Sequence, residues 1–184
     1  RLLGNGKEFG LKHLNYTYQE GDGGIADALR LAEHFADGEP ICVVLGDNII
    51  QGSVAKAADH FRRQQKGAKI LLKEVKDPQR FGVPVLDGEC VVKIEEKPLY
   101  TRSPYAVTGI YFYDPQVFEF IRSLKPSARG ELEITDVNNA YIKAGMLTWD
   151  LLQGWWTDAG TIESLYLANQ LVGQTGANNL NLAA

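Results

Sequence analysis

Apolar residues along this chain alternate between stretches with helical spacing and short β-branched runs, the pattern of an α/β layered domain. Residues 25–35 repeat their apolar positions at helical intervals before the breaker Gly38-Glu39-Pro40, which predicts one helix. The run Ile41-Cys42-Val43-Val44-Leu45 is short and uncharged, and predicts a strand buried on both faces. Ser53 can cap a second helix reaching Gln65, and Gly67 ends it before a strand over 69–75. Segments 83–86 and 90–94 flank Asp87-Gly88 as a β-hairpin, with Pro84 marking an edge or a bulge. The aromatic and β-branched residues of 105–113 predict another strand, 115–123 and 133–144 helices, and 146–153 a late strand. Thr161 and Glu163 open a last helix over 162–172. These elements predict one domain over 1–172 and a flexible Gly/Asn-rich tail over 173–184.

The balance of charge narrows the function. With 184 residues, 45% of them hydrophobic, the chain is long enough for one well-buried core. A net charge of −4 lacks the basic footprint of a nucleic-acid polymer binder, and no apolar run approaches the ~20 residues needed to cross a bilayer. Cys42, within the expected buried strand, and Cys90, at a turn, form no C-x-x-C motif, so both are expected to be inert thiols in a reducing cytoplasm. The chain begins with Arg1 and no leader pattern follows, so it is expected to start partway into a longer protein.

Candidate chemistry gathers at two acidic corners. Asp47 lies just past the carboxyl end of the 41–45 strand, where ligands collect in open α/β sheets, and the preceding Gly46 allows close approach. Its carboxylate is a hard oxygen donor suited to Mg²⁺, and Asp158, in Trp156-Thr157-Asp158-Ala159-Gly160-Thr161, offers a second. Taken alone, Asp47 serves as readily in a turn, and Asp158 reads better as the opening of the last helix. Glu96 and Lys97 alone read as a solvated charged face, and Gln19 and Gly24 as part of a Gly-rich helix-capping loop.

Several strings decide among these readings by resemblance. Leu45-Gly46-Asp47-Asn48-Ile49, Glu95-Glu96-Lys97-Pro98, Tyr105-Ala106-Val107-Thr108-Gly109-Ile110-Tyr111-Phe112-Tyr113-Asp114, Arg129-Gly130-Glu131-Leu132-Glu133-Ile134-Thr135-Asp136 and Trp156-Thr157-Asp158-Ala159-Gly160-Thr161 occur in the order and at the spacings of sugar-1-phosphate nucleotidylyltransferases. The chain resembles that family up to about Val172, and within it the enzymes that use glucose 1-phosphate and dTTP. The resemblance implies a Rossmann-like α/β layer with a mixed, mostly parallel sheet between helices, and a homo-oligomer. It implies attack of the glucose 1-phosphate oxygen on the α-phosphorus of dTTP, giving dTDP-glucose and pyrophosphate. Asp47 and Asp158 would then be the Mg²⁺ ligands, with Asp47 also at the nucleotide. Lys97 would meet the phosphate as a catalytic cation and Glu96 the sugar hydroxyls. Gly82, Val107 and Tyr111 would face the sugar, and Gln19 and Gly24 the thymine. Phe81 stands where the family usually has tyrosine, so a hydroxyl contact there would be lost.

One family feature has no counterpart here: the first strand and the G-x-G-T-R-L loop that grips the triphosphate. On that ground the chain by itself is expected to be a poor catalyst, since losing preorganised charge stabilisation costs orders of magnitude in rate. The strand position left open is expected to favour self-association or completion by another chain. An inactive sugar-nucleotide-binding or regulatory module and a structural oligomerisation domain are the alternatives.

Overall fold

A computed structural model describes residues 3–179. In chain order its elements begin with helices α1 (Ile25–Arg30) and α2 (Glu33–Ala36), strands β1 (Ile41–Val44) and β2 (Asn48–Ile50), helix α3 (Ala55–Gln64) and strand β3 (Ala68–Glu74). The hairpin β4 (Gly82–Asp87) and β5 (Cys90–Glu96) follows, then β6 (Tyr105–Tyr113) and helices α4 (Val117–Ser123) and α5 (Ile134–Lys143). Strands β7 (Leu147–Leu151) and β8 (Trp156–Asp158) precede helix α6 (Ile162–Thr175).

The central sheet has the order β1-β6-β3-β7. Strand β6 pairs antiparallel with both β1 and β3, while β3 and β7 are parallel. Three of these strands therefore share a direction, but only one pairing is parallel, because the reversed strand lies between β1 and β3. Alternation along the strands builds a core on each face. Ile70, Leu72, Tyr111 and Tyr113 pack with residues of α1, α4 and α5, whereas Leu71, Ile110 and Phe112 pack with Ala57 and Phe61 of α3. The sheet is thus mixed and covered by helices on both sides.

Local chemistry accounts for most boundaries. The Ser53 hydroxyl accepts the Ala55 N–H and starts α3, and Gly67, at φ +92°, turns the chain into β3 where a Cβ would collide with the Met146 carbonyl. Thr161 and Ser164 form a reciprocal capping box at the start of α6. Gly88, at φ +58°, lies in the two-residue loop of the β4–β5 hairpin, and a register shift after Val85 supplies the irregularity expected near Pro84.

Other expectations are corrected. The helix expected over 25–35 is two short ones, because Leu31 and Ala32 donate to carbonyls three residues back, tightening the turn and breaking the ladder. Strand β1 is not buried on both faces: it ends the order of the sheet, and Cys42 and Val44 are exposed. Of the tail expected over 173–184, residues 173–175 continue α6, and the N–H groups of Asn178 and Asn179 donate to the carbonyls of Ile50 and Gln51. Residues 180–184 lie outside the described residues. No described helix is long and apolar enough to cross a membrane.

Candidate functional site

The two acidic corners meet through a short ladder. Strand β2 pairs antiparallel with β8, setting Asn48 opposite Asp158, and the Asp47 carbonyl accepts the Ala159 N–H at 2.7 Å. Gly160 completes the geometry. A Cβ built there would lie 3.3 Å from Asp47 Oδ2 and 3.5 Å from Asp158 Oδ2, so the two oxygens converge on a space that glycine leaves open. Asp47 Oδ1 accepts from Asn48 Nδ2 at 2.8 Å, and among the described residues no hydrogen bond uses the Asp158 carboxylate. Two hard oxygens facing one small space suit Mg²⁺, which keeps waters and takes phosphate oxygens as its other ligands. Among the described residues no third acidic, histidine or cysteine side chain joins them.

Arg80 borders this pair. Its Nη1 donates to Asp77 at 3.0 Å, its guanidinium lies 5.4 Å from the Phe81 ring centre, and its Nη2 is 3.8 Å from Asp158 Oδ2. The hydrogen bond to Asp77, and then the Asp158 and Asp77 charges, hold the guanidinium pKa above its usual value against the opposing effect of burial.

The opposite wall is built on the hairpin. Gly82 pairs with Glu96 across β4 and β5, and the Lys97 N–H donates to the Phe81 carbonyl at 3.0 Å. Lys97 adopts φ +42°, a left-handed conformation that non-glycine residues seldom take. Glu96 Oε2 accepts from the buried Thr135 hydroxyl at 2.6 Å, and Glu96 Oε1 is 3.8 Å from Arg129 Nη2. Arg129 itself is engaged by Glu133 at 2.8 Å. Val107 and Tyr111, on one face of β6, form the floor. Burial raises the Tyr111 pKa well above the ordinary phenol value, and the Glu96 and Asp47 charges raise it further, so the group stays a neutral donor.

These walls enclose a cleft of about 210 Å³ lined by Asp47, Asp158, Gly82, Glu96, Lys97, Val107 and Tyr111, with Arg80, Phe81, Thr135, Asn138 and Trp156 beside them. A hollow of about 880 Å³ lies between β5, the end of α5 and β7, but no facing carboxylates converge in it. Convergent charge, more than volume, makes the smaller cleft the candidate site. Gln19 and Gly24 do not line it. Gly24, at φ +88°, caps α1 where a Cβ would come within 2.6 Å of the Leu132 carbonyl, and Gln19 Nε2 donates to the Gly24 carbonyl and to Asp27, each at 3.0 Å.

Sequence reasoning passed over several residues that shape this cleft. Asn48 Oδ1 accepts both the Gly109 N–H at 2.8 Å and the Trp156 indole N–H at 2.7 Å, while its amide holds Asp47. It sits inside the Gly46-Asp47-Asn48 string, so its neighbour was the available signal. Arg80 follows a Pro-led turn and Thr135 opens a helix, and neither setting signals a ligand cleft.

Comparison with known proteins adds ancestry to this geometry. A family model described as nucleotidyl transferase matches residues 1–175. A glucose-1-phosphate thymidylyltransferase of Neisseria meningitidis is 44% identical over 186 residues, covering 99% of this chain and 64% of the relative. One from Actinoplanes is 45% identical over 165 residues, covering 88% of this chain and 54% of its own. The chain therefore spans less than two thirds of the length of these relatives. A crystal structure from Bacillus anthracis, named as a glucose-1-phosphate thymidylyltransferase and holding a sucrose, superposes with a TM-score of 0.88 at 51% identity over 94% of this chain and 70% of that one. A UDP-glucose pyrophosphorylase complexed with UDP-glucose shares the fold at a TM-score of 0.77 and 23% identity, over 87% of this chain and 66% of the other.

Proposed function

Since this chain belongs to the nucleotidyl transferase family, we propose that the protein transfers a thymidylyl group from dTTP to glucose 1-phosphate, making dTDP-glucose and pyrophosphate. The relatives named for this activity motivate the choice of substrates. The observation that carries it is the cleft that joins a carboxylate pair on one wall to a Glu96–Lys97 pair on the other. In the reaction an oxygen of the sugar phosphate forms a bond to the α-phosphorus while the bond to pyrophosphate breaks. Both reactants are anions, so catalysis consists of alignment and charge neutralisation.

The residues divide that work between the walls. Lys97 presents its ammonium to the sugar phosphate from the end of β5. Glu96 has one oxygen engaged by Thr135, while the other accepts no hydrogen bond among the described residues and could take a sugar hydroxyl. Gly82 carries no side chain to crowd the ring, Val107 floors the cleft, and the neutral Tyr111 phenol makes no hydrogen bond among the described residues and so remains a free donor. Asp47 and Asp158 are the residues suited to hold Mg²⁺, which when bound supplies positive charge to the phosphate oxygens.

Base recognition by Gln19 and Gly24 is part of the same proposal. Both Gln19 N–H bonds go to acceptor groups, the Gly24 carbonyl and the Asp27 carboxylate, which fixes the amide orientation. The carbonyl oxygen that remains is an acceptor, matched to the N3–H donor of thymine and mismatched to the N3 acceptor of cytosine. The family resemblance further supports a homo-oligomer, and two free, exposed cysteines suit a reducing cytoplasm.

Pyrophosphate release, read with the triphosphate-gripping strand and loop supplied, tests the proposal. It should require dTTP, glucose 1-phosphate and Mg²⁺ together, fall at least about 100-fold in Asp47→Asn and Asp158→Asn, and fall in Gly160→Ala, whose methyl would enter the space between the carboxylates. Release that ignores glucose 1-phosphate, or that survives Asp47→Asn, would sink it. Saturable dTDP-glucose binding without turnover would favour a recognition module.

A further inference from the structure

We infer that Arg80 is a positioning residue that stands in for the metal at Asp158, so that it sets the affinity of the carboxylate pair for a divalent cation. This rests on the proposed metal role of Asp47 and Asp158. The contacts of Arg80 are unequal in a way that suits such a role. Asp77 takes a hydrogen bond at 3.0 Å and Phe81 lies against the guanidinium, so the side chain is tethered by groups other than the carboxylate pair. Asp158, at 3.8 Å, is beyond hydrogen-bonding distance, so it feels the positive field of Arg80 without giving up an oxygen lone pair to it.

That arrangement answers an electrostatic problem. Asp47 Oδ2 and Asp158 Oδ2 both border the space beside Gly160, and their like charges push the two carboxylates apart. Arg80 offsets the repulsion from outside the space the ion would fill, while Asp77 keeps it from closing on Asp158. The same charge opposes an arriving divalent ion. Arg80 therefore trades some cation affinity for a corner that is already shaped. Arg80 also lines the adjoining hollow of about 670 Å³ with Lys76, which leaves the guanidinium room to withdraw.

Titration of the protein with Mn²⁺ alone, read by water-proton relaxation, tests this without any turnover. Arg80→Gln should bind Mn²⁺ about threefold to tenfold more tightly than the parent, the scale of one partly screened charge acting on a divalent ion, and Arg80→Lys should stay within about twofold of it. Asp77→Ala, which removes the acceptor, should move the other way, about threefold weaker, because a released Arg80 closes on Asp158. A structural defect would weaken binding in every variant, whereas opposite signs require the charge to act on the ion. If Arg80→Gln binds no more tightly while Asp47→Asn abolishes binding, the inference is overturned and the metal reading stands. If parental binding does not depend on Asp47, the metal reading falls and this inference falls with it. Should Arg80→Gln fail to fold, Asp77→Ala decides, and tighter binding there would overturn the inference.

Discussion

Trp156 donates its indole N–H to the side-chain oxygen of Asn48 across 2.7 Å, so the two acidic corners are tied by side chains as well as by the β2–β8 backbone. The same oxygen accepts the Gly109 N–H, and the amide nitrogen holds Asp47. One side chain thus fixes the register of three segments. It also explains Gly109, where a Cβ would run into the Asn48 amide.

Asn48→Ala leaves two donors without their acceptor and should cost about 2 kcal/mol or more in urea denaturation. Gly109→Ala should also destabilise, but much less when Asn48 is already alanine, because the group it strikes is gone. A double-mutant cycle should therefore return a coupling of about 1 kcal/mol or more. Simple additivity would show that the two positions act independently.

Lys97 stores backbone strain at the site, and glycine is the residue that removes it. Lys97→Gly should leave stability equal to the parent or raise it by up to about 1 kcal/mol, where glycine elsewhere in a strand end would lower it by a similar amount. The same variant should raise the KM for glucose 1-phosphate at least about tenfold while the KM for dTTP changes little. A clear loss of stability would show that the left-handed turn is not strained.

Tyr111, Tyr113 and Tyr141 form a buried stack with ring centres 5.9 and 5.6 Å apart. Burial is the largest cause raising the pKa of each phenol in the folded protein. The sign follows from which state releases protons first. Above the ordinary value of 10.0 the unfolded chain loses these protons while the folded one retains them, so their contribution is complete below about pH 10 and is lost as pH climbs. Unfolding free energy should fall above pH 10 by up to about 1.4 kcal/mol per pH unit for each of them. Tyrosinate absorbance should show these three phenols ionising only with unfolding. Smooth titration of all of them in the folded protein would contradict the burial argument.

Elements set by neighbouring residues were legible, and those set by remote partners were not. Strand β6 spans the predicted 105–113 because seven of its nine residues are aromatic or β-branched, and α6 begins where Thr161 predicts a cap. The break between α1 and α2 escaped, since the apolar spacing of Leu29, Leu31 and Ala32 is the same for a continuous helix. The burial of β1 was overestimated because an uncharged run does not state whether it will lie inside a sheet or at its edge. Within the cleft, the motif strings pointed to both carboxylates and to Glu96, but Thr135 joins Glu96 across 39 residues and Asn48 joins Trp156 across 108. Such pairings exist only once the sheet has closed.

The β4–β5 hairpin is a two-stranded sheet of its own, separate from the ladder that joins Asp47 to Asp158. The wall that would face the sugar and the corner that would hold the ion therefore answer to different stretches of chain. Substitutions at Gly82 and Glu96 would bear on the sugar without replacing any residue of the β2–β8 ladder. Such a division lets a lineage diversify its products while keeping one bond-making apparatus.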